Sequence, residues 1–139
     1  MPARDKFHQS VRTALEKDGW KITHDPLKLK WGRKQFYVDI GAEKLLSAEK
    51  EGRKIAVEIK SFSSLSEVTD LEEALGQYLL YLAILQEKQS DRVLYLAVPE
   101  EKLFDLFDEN DIGGLVLAKY KIKLIVYHPK QEVIVKWIE

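Results

Sequence analysis

The chain contains no cysteine, so neither a disulfide nor a thiolate-bound metal can hold it together. Proline and glycine are sparse, at four and seven of 139 residues, and no tract is rich in either. Nothing therefore reads as a linker, and residues 1–139 form one domain of ordinary size. No apolar run approaches the roughly 20 residues needed to cross a bilayer. The beginning, MPARDKFHQSV, lacks the apolar stretch of a signal peptide. A cytoplasmic protein without a membrane association is expected. An excess of one charge is missing too, since the formal net charge is −1. No global field draws phosphate, and any nucleic-acid binding has to be local. Lys21, Lys28, Lys30, Arg33 and Lys34 are the one concentration of basic residues with few acids nearby; they read as a solvated charged face or as a local patch for nucleic acid. The three histidines have no zinc-like spacing. A P-loop, a G-x-G-x-x-G and a G-x-S-x-G are all missing, which removes nucleotide-binding and serine-hydrolase readings.

What is present is a chain with 45% hydrophobic residues, enough for a proper core. Residues 3–17 read as a helix, because Phe7, Val11, Ala14 and Leu15 make one apolar stripe and Gly19 supplies the stop. WKIT, LKLKW and FYVDIGAE read as strands, with turns at Asp25-Pro26 and Gly32. LLSAEKEGRK is a polar connection into a further strand, IAVEIKSF. Thr69 and Glu72 make a T-x-x-E capping box that starts a helix at Thr69. That helix is apolar on almost every side from Leu75 to Leu85, so it is expected between the sheet and a second surface. RVLYLAVP follows as a strand, then a short helix in EEKLFDLF, a helix in DIGGLVLAKY, and a closing hairpin of KIKLIVY and EVIVKWI. A strand-helix-strand crossover beside hairpins implies an α/β fold with a mixed sheet flanked by helices.

Within IAVEIKSF, Glu58 and Lys60 are two apart and project from one face, although the rest of the stretch suits a buried strand. Asp39 precedes Glu58 by 19 positions, a spacing that fits neighbouring antiparallel strands. If alternation runs unbroken, Tyr37, Asp39 and Gly41 share a face opposite Val38 and Ile40, and Asp39, Glu58 and Lys60 meet in one cleft. Two converging carboxylates suit Mg²⁺, which takes oxygen ligands, and a nearby lysine would offset charge on a phosphoryl group. A plain cross-strand salt bridge of Lys60 with Asp39 or Glu58 fits the same pattern. Gln77 and Tyr81, four apart on one helical face, read either as part of that cleft or as core. His8 either completes the site or is a partly exposed surface histidine. His24 and Asp25 could be a metal pair, but Asp-Pro more often starts a turn. The tryptophans and Tyr37 are assigned to packing.

VDIGAE…AVEIKSF resembles the D-(x)n-(D/E)-x-K signature of the PD-(D/E)XK nuclease superfamily, in Asp39, Glu58 and Lys60. GQYLLY resembles the Q-x-x-x-Y motif of many members, in Gln77 and Tyr81. Val38 stands where the superfamily name has proline, a departure that touches backbone shape and supplies no ligand. Over nearly the whole chain, FHQSVRTALEKDGWKITHDPL, VEIKSF, ALGQYLLY and IKLIVYHPKQEVIVKWI resemble XisH, a cyanobacterial family named as a controlling factor for excision of the fdxN DNA element. The resemblance implies a restriction-endonuclease-like mixed sheet and a part in DNA processing or recombination. It implies Mg²⁺ or Mn²⁺ on Asp39, Glu58 and the Ile59 carbonyl, and Lys60 and Gln77 as further catalytic residues of a phosphodiester hydrolase. His8 and Tyr81 would be accessory. DNA is the implied partner, with an XisI-like protein, and two cuts in a duplex would call for a homodimer. The alternative is a catalytically silent module that binds an XisI-like partner and controls a recombinase.

Overall fold

The structure, a computed structural model, describes residues 4–44 and 52–139. Most of the polar connection expected over LLSAEKEGRK lies outside the described residues.

Helix α1, His8–Lys17, leads into strand β1, Lys21–His24. Gly19 makes that turn at φ +93°, a conformation side chains resist. Strands β2, Leu27–Trp31, and β3, Lys34–Val38, pair antiparallel as a separate two-stranded ribbon. The main sheet resumes with β4, Ile40–Lys44, and β5, Arg53–Ile59. Helix α2, Glu67–Lys88, crosses to β6, Arg92–Pro99; helices α3, Glu100–Asp105, and α4, Ile112–Tyr120, cross to β7, Leu124–His128. Strand β8, Val133–Ile138, closes the hairpin.

The six-stranded sheet runs β1-β4-β5-β6-β7-β8. β5, β6 and β7 are parallel to one another and the outer pairings are antiparallel. This is the expected α/β architecture, a mixed sheet flanked by helices, consistent with a restriction-endonuclease-like core. RKIAVEI and RVLYLAVP occupy the centre because their near-continuous apolar runs can be covered on both faces. On one face Val11 and Leu15 of α1 pack with Trp20, Ile55, Val57 and Tyr95. On the other, Leu71, Ala74, Tyr78 and Leu85 of α2 pack with Ala56, Leu94 and Leu96, and the ribbon adds Leu27, Leu29 and Val38.

Four expectations change. FYVDIGAE is two strands: Val38 belongs to the core under α2, and Ile40 to the core under α1. Alternation cannot run through Asp39, because the chain there leaves the ribbon for the main sheet. Helix α1 begins at His8, later than residue 3, since Asp5 draws back the Phe7 N–H at 2.9 Å and sets a turn before it. Helix α2 begins at Glu67 with Ser66 as its cap, not at a Thr69–Glu72 box: the Ser66 hydroxyl accepts the Thr69 N–H at 3.2 Å. Ser66→Ala should therefore lower stability by about 1 kcal/mol in urea unfolding, and Thr69→Ala by clearly less. Finally, Leu79 and Leu80 of α2 stay 57% and 54% exposed, so the second covering surface is missing on that side among the described residues.

Candidate metal centre

The break at Asp39 creates the site. Freed from both strands, its carboxylate turns along the end of β5, where Oδ2 accepts the Ile59 N–H at 2.7 Å. Glu58 answers from β5, its Oε1 accepting the Asp39 N–H at 3.2 Å. Glu58 thus fixes the Asp39 amide, Asp39 fixes the amide that follows Glu58, and each carboxylate keeps one oxygen outside these bonds. Lys60 N–H bonds to Ala97 of β6, whereas Ile59 N–H faces Asp39. A residue's N–H and C=O point to the same side of an extended strand, so the Ile59 carbonyl lies on the Asp39 side.

These groups open into a cleft of about 340 Å³ whose lining includes Asp5, Asp39, Glu58, Ile59, Lys60, Gln77 and Tyr81, with Gln35, Phe36 and Tyr37 of the ribbon as one wall. Helix α2 brings Gln77 and Tyr81 to it, and the Tyr81 ring packs edge-on against Phe36 with centroids 6.4 Å apart. The Gln77 Oε1 is buried and has no hydrogen-bond partner among the described residues.

Burial sets the electrostatics. It raises the Glu58 carboxyl to about 9, helped by the neighbouring negative charge of Asp39. Burial also raises Asp39, against the pull of the Ile59 amide and of Glu58 itself. Without a cation the pair therefore shares a proton near neutrality, held by Glu58. Tyr81 is pushed up by burial and by both carboxylates, so it is a neutral phenol.

Lys60 does not bridge to Asp39 or Glu58. Its ammonium binds Glu73 of α2 at 3.0 Å, which holds it at the cleft rim. His8 is neither a surface residue nor part of the cleft lining: it is buried, and its Nε2 lies 2.7 Å from Asp25 Oδ1. Arg12 takes the other Asp25 oxygen at 2.7 Å, and Arg4 adds a contact at 3.3 Å. Asp25 is thus consumed by α1 and its flank, and His24 is bound to Thr23, so the two do not form a metal pair.

The XisH protein family model matches residues 1–135. The chain belongs to the XisH family. A crystal structure of an XisH family protein from Nostoc punctiforme is similar at 43% identity with a TM-score of 0.87, covering 97% of this chain and 100% of that one. A fdxN element excision controlling factor protein from Anabaena variabilis is similar at 42% identity with a TM-score of 0.86, covering 98% and 100%. No curated protein matches the chain. In this XisH chain the structure adds Arg4, Asp5 and Glu73 to the residues legible in sequence. Asp5 spans the site by accepting the Ser61 N–H at 3.0 Å as well as that of Phe7. An acid just before a helix signals a local turn; nothing in the sequence signals a bond to a residue 56 positions away.

Proposed function

We propose that this XisH protein is a divalent-metal-dependent, nuclease-type component of DNA element excision. The observation that carries the reading is the convergence of Asp39, Glu58 and Lys60 in one cleft. The donor set fits Mg²⁺ or Mn²⁺. It is all oxygen, it includes a carboxyl kept protonated by burial and by the charge of Asp39, both of which a cation would offset, and it lies in a cleft with an orphaned Gln77 acceptor. Among the described residues no three acidic or histidine side chains group as a metal cage. An ion held by one or two carboxylates, backbone, water and substrate phosphate does not require such a cage.

Asp39, Glu58 and the Ile59 carbonyl would hold the ion. Bound there, it would supply positive charge to a phosphoryl group and a more acidic water. Lys60, steadied by Glu73, places an ammonium where negative charge grows in the transition state. Gln77 offers an acceptor to orient water or the attacking group. The name of the Anabaena variabilis relative supports excision as the setting.

Supercoiled plasmid incubated with Mn²⁺ is expected to be nicked by the wild-type protein and not by Lys60→Ala. Equal nicking by both would remove the proposal. A second reading, a regulatory module that seats an XisI-like protein, is favoured by Phe104, Ile112, Leu115 and Tyr120, large apolar or aromatic residues exposed around α3 and α4. Excision left unchanged by Lys60→Ala and lost on Leu115→Asp would favour it.

A further inference from the structure

The β2–β3 ribbon has a composition unlike that of the whole chain. Its twelve residues, LKLKWGRKQFYV, carry four basic side chains and no acid, in a chain whose formal net charge is −1. Register separates its two faces. Leu27 opposes Val38, Leu29 opposes Phe36 and Trp31 opposes Lys34, and this face turns to α2. Lys28 opposes Tyr37 and Lys30 opposes Gln35 on the other face. Both lysines are exposed there, and Arg33 and Lys34 are exposed at the tip. Among the described residues none of the four has a carboxylate within ion-pair distance, whereas Lys60 and Lys102 do. Lys21, part of the same run in sequence, belongs elsewhere: it lies on β1 opposite Glu43.

Strand β3 borders the cleft with residues of both ribbon faces, Phe36 from the α2 side and Gln35 and Tyr37 from the basic side. Gln35 and Tyr37, the basic side's two non-basic members, line the same cavity as Asp39 and Glu58. The four cations stay outside the cavity lining, on the ribbon that forms one of its walls. Each strand is about 17 Å long, and Lys28 and Lys30 are about 7 Å apart along one edge.

We infer that the ribbon is a docking element for the phosphate backbone of duplex DNA, which it seats against the cleft. This rests on the nuclease-type reading for the class of polyanion, and the binding itself needs no metal. The face offers point charges and, in Tyr37, a single half-buried ring instead of a row of stacking aromatics. Trp31 lies on the other face, under the Lys88 ammonium at 5.6 Å, and Tyr37 is hydrogen-bonded to Gln35 at 3.3 Å. Single strands are held largely by bases stacked on aromatic rings, so the outside of a duplex fits better. Contacts of this kind fix position along DNA without reading sequence.

Fluorescence anisotropy of a short labelled DNA duplex, in chelator and over a range of salt, tests this. The quadruple variant K28A/K30A/R33A/K34A should bind about 100-fold more weakly at low salt, with the slope of log K against log salt reduced by about 3 to 4. A control with Lys119, Lys121, Lys130 and Lys136 changed to Ala should bind as the wild type does. Replacing the three ribbon lysines with Arg should preserve binding, which separates lost charge from lost folding. No duplex binding by the wild type, an unchanged slope in the quadruple variant, or tighter binding to single strands than to duplex would each overturn the inference. Glu58→Gln should bind duplex in chelator at least as well as wild type, so failure of the metal site leaves this result readable.

Discussion

Replacing Glu58 with Gln is expected to raise the melting temperature of the metal-free protein at about pH 8 by on the order of 10 °C. The sign follows from the direction of the shift. In the folded chain the Glu58 carboxyl titrates at about 9 instead of its usual 4.5, because it is buried beside Asp39. Between those values the folded state keeps a proton that the unfolded state has released, so stability falls as pH rises through that window. The limiting slope is about 1.4 kcal/mol per pH unit, and relaxation around the pair leaves ~2–4 kcal/mol at about pH 8. Glutamine reproduces the neutral carboxyl: its carbonyl can accept the Asp39 N–H and its amide can donate to the Asp39 carboxylate. Its stability should therefore depend less on pH. At about pH 5 the two proteins should melt close together. Melting curves from about pH 5 to 9 check this, and a wild-type curve as flat as that of Glu58→Gln would show that Glu58 ionises freely in the fold.

On the proposed nuclease reading, Asp39→Asn and Lys60→Ala should both suppress cleavage, by about 10³-fold and about 10²-fold or more, for different reasons. Asparagine can still accept the Ile59 N–H, so the strand end holds. It removes a negative charge from the ion's site, and Mn²⁺ affinity should fall about 100-fold with the rate. Lys60 touches Glu73 at the rim and no carboxylate of the pair. Its removal should leave Mn²⁺ affinity equal to or above that of the wild type while the rate collapses. Binding and nicking measured on the same preparations separate the two roles. Loss of metal affinity in Lys60→Ala would place the lysine in the metal's shell instead of beside the substrate.

Strand chemistry singled these residues out, and the resemblance to the D-(x)n-(D/E)-x-K signature chose a metal site over a plain salt bridge for them. IAVEI and YLAVP are too apolar for an edge, so Glu58 had to face something that repays a buried charge. Asp39 could be matched to it by spacing, yet the reason it arrives there could not be read. V-D-I looks like continuous alternation, and only the pairing of Val38 with Leu27 and of Ile40 with Val57 reveals a switch of sheets. Position-specific patterning likewise missed Ser66, whose cap competes with an equally plausible threonine three residues on. The burial of His8 depends on Asp25, 17 positions away, and the partner of Lys60 is 13 positions away on another element. The basic run was visible as composition. Its division into Lys21 on the sheet and four residues on a ribbon follows from a register that composition does not encode.

Calorimetric titration of Mn²⁺ near pH 7.5, repeated in buffers of different ionisation enthalpy, tests most directly whether Asp39 and Glu58 hold a proton that a divalent ion can replace. One ion per chain, release of about one proton, and loss of both signals in Glu58→Gln are the predicted results. Ion binding without proton release, undiminished in Glu58→Gln, would contradict the account.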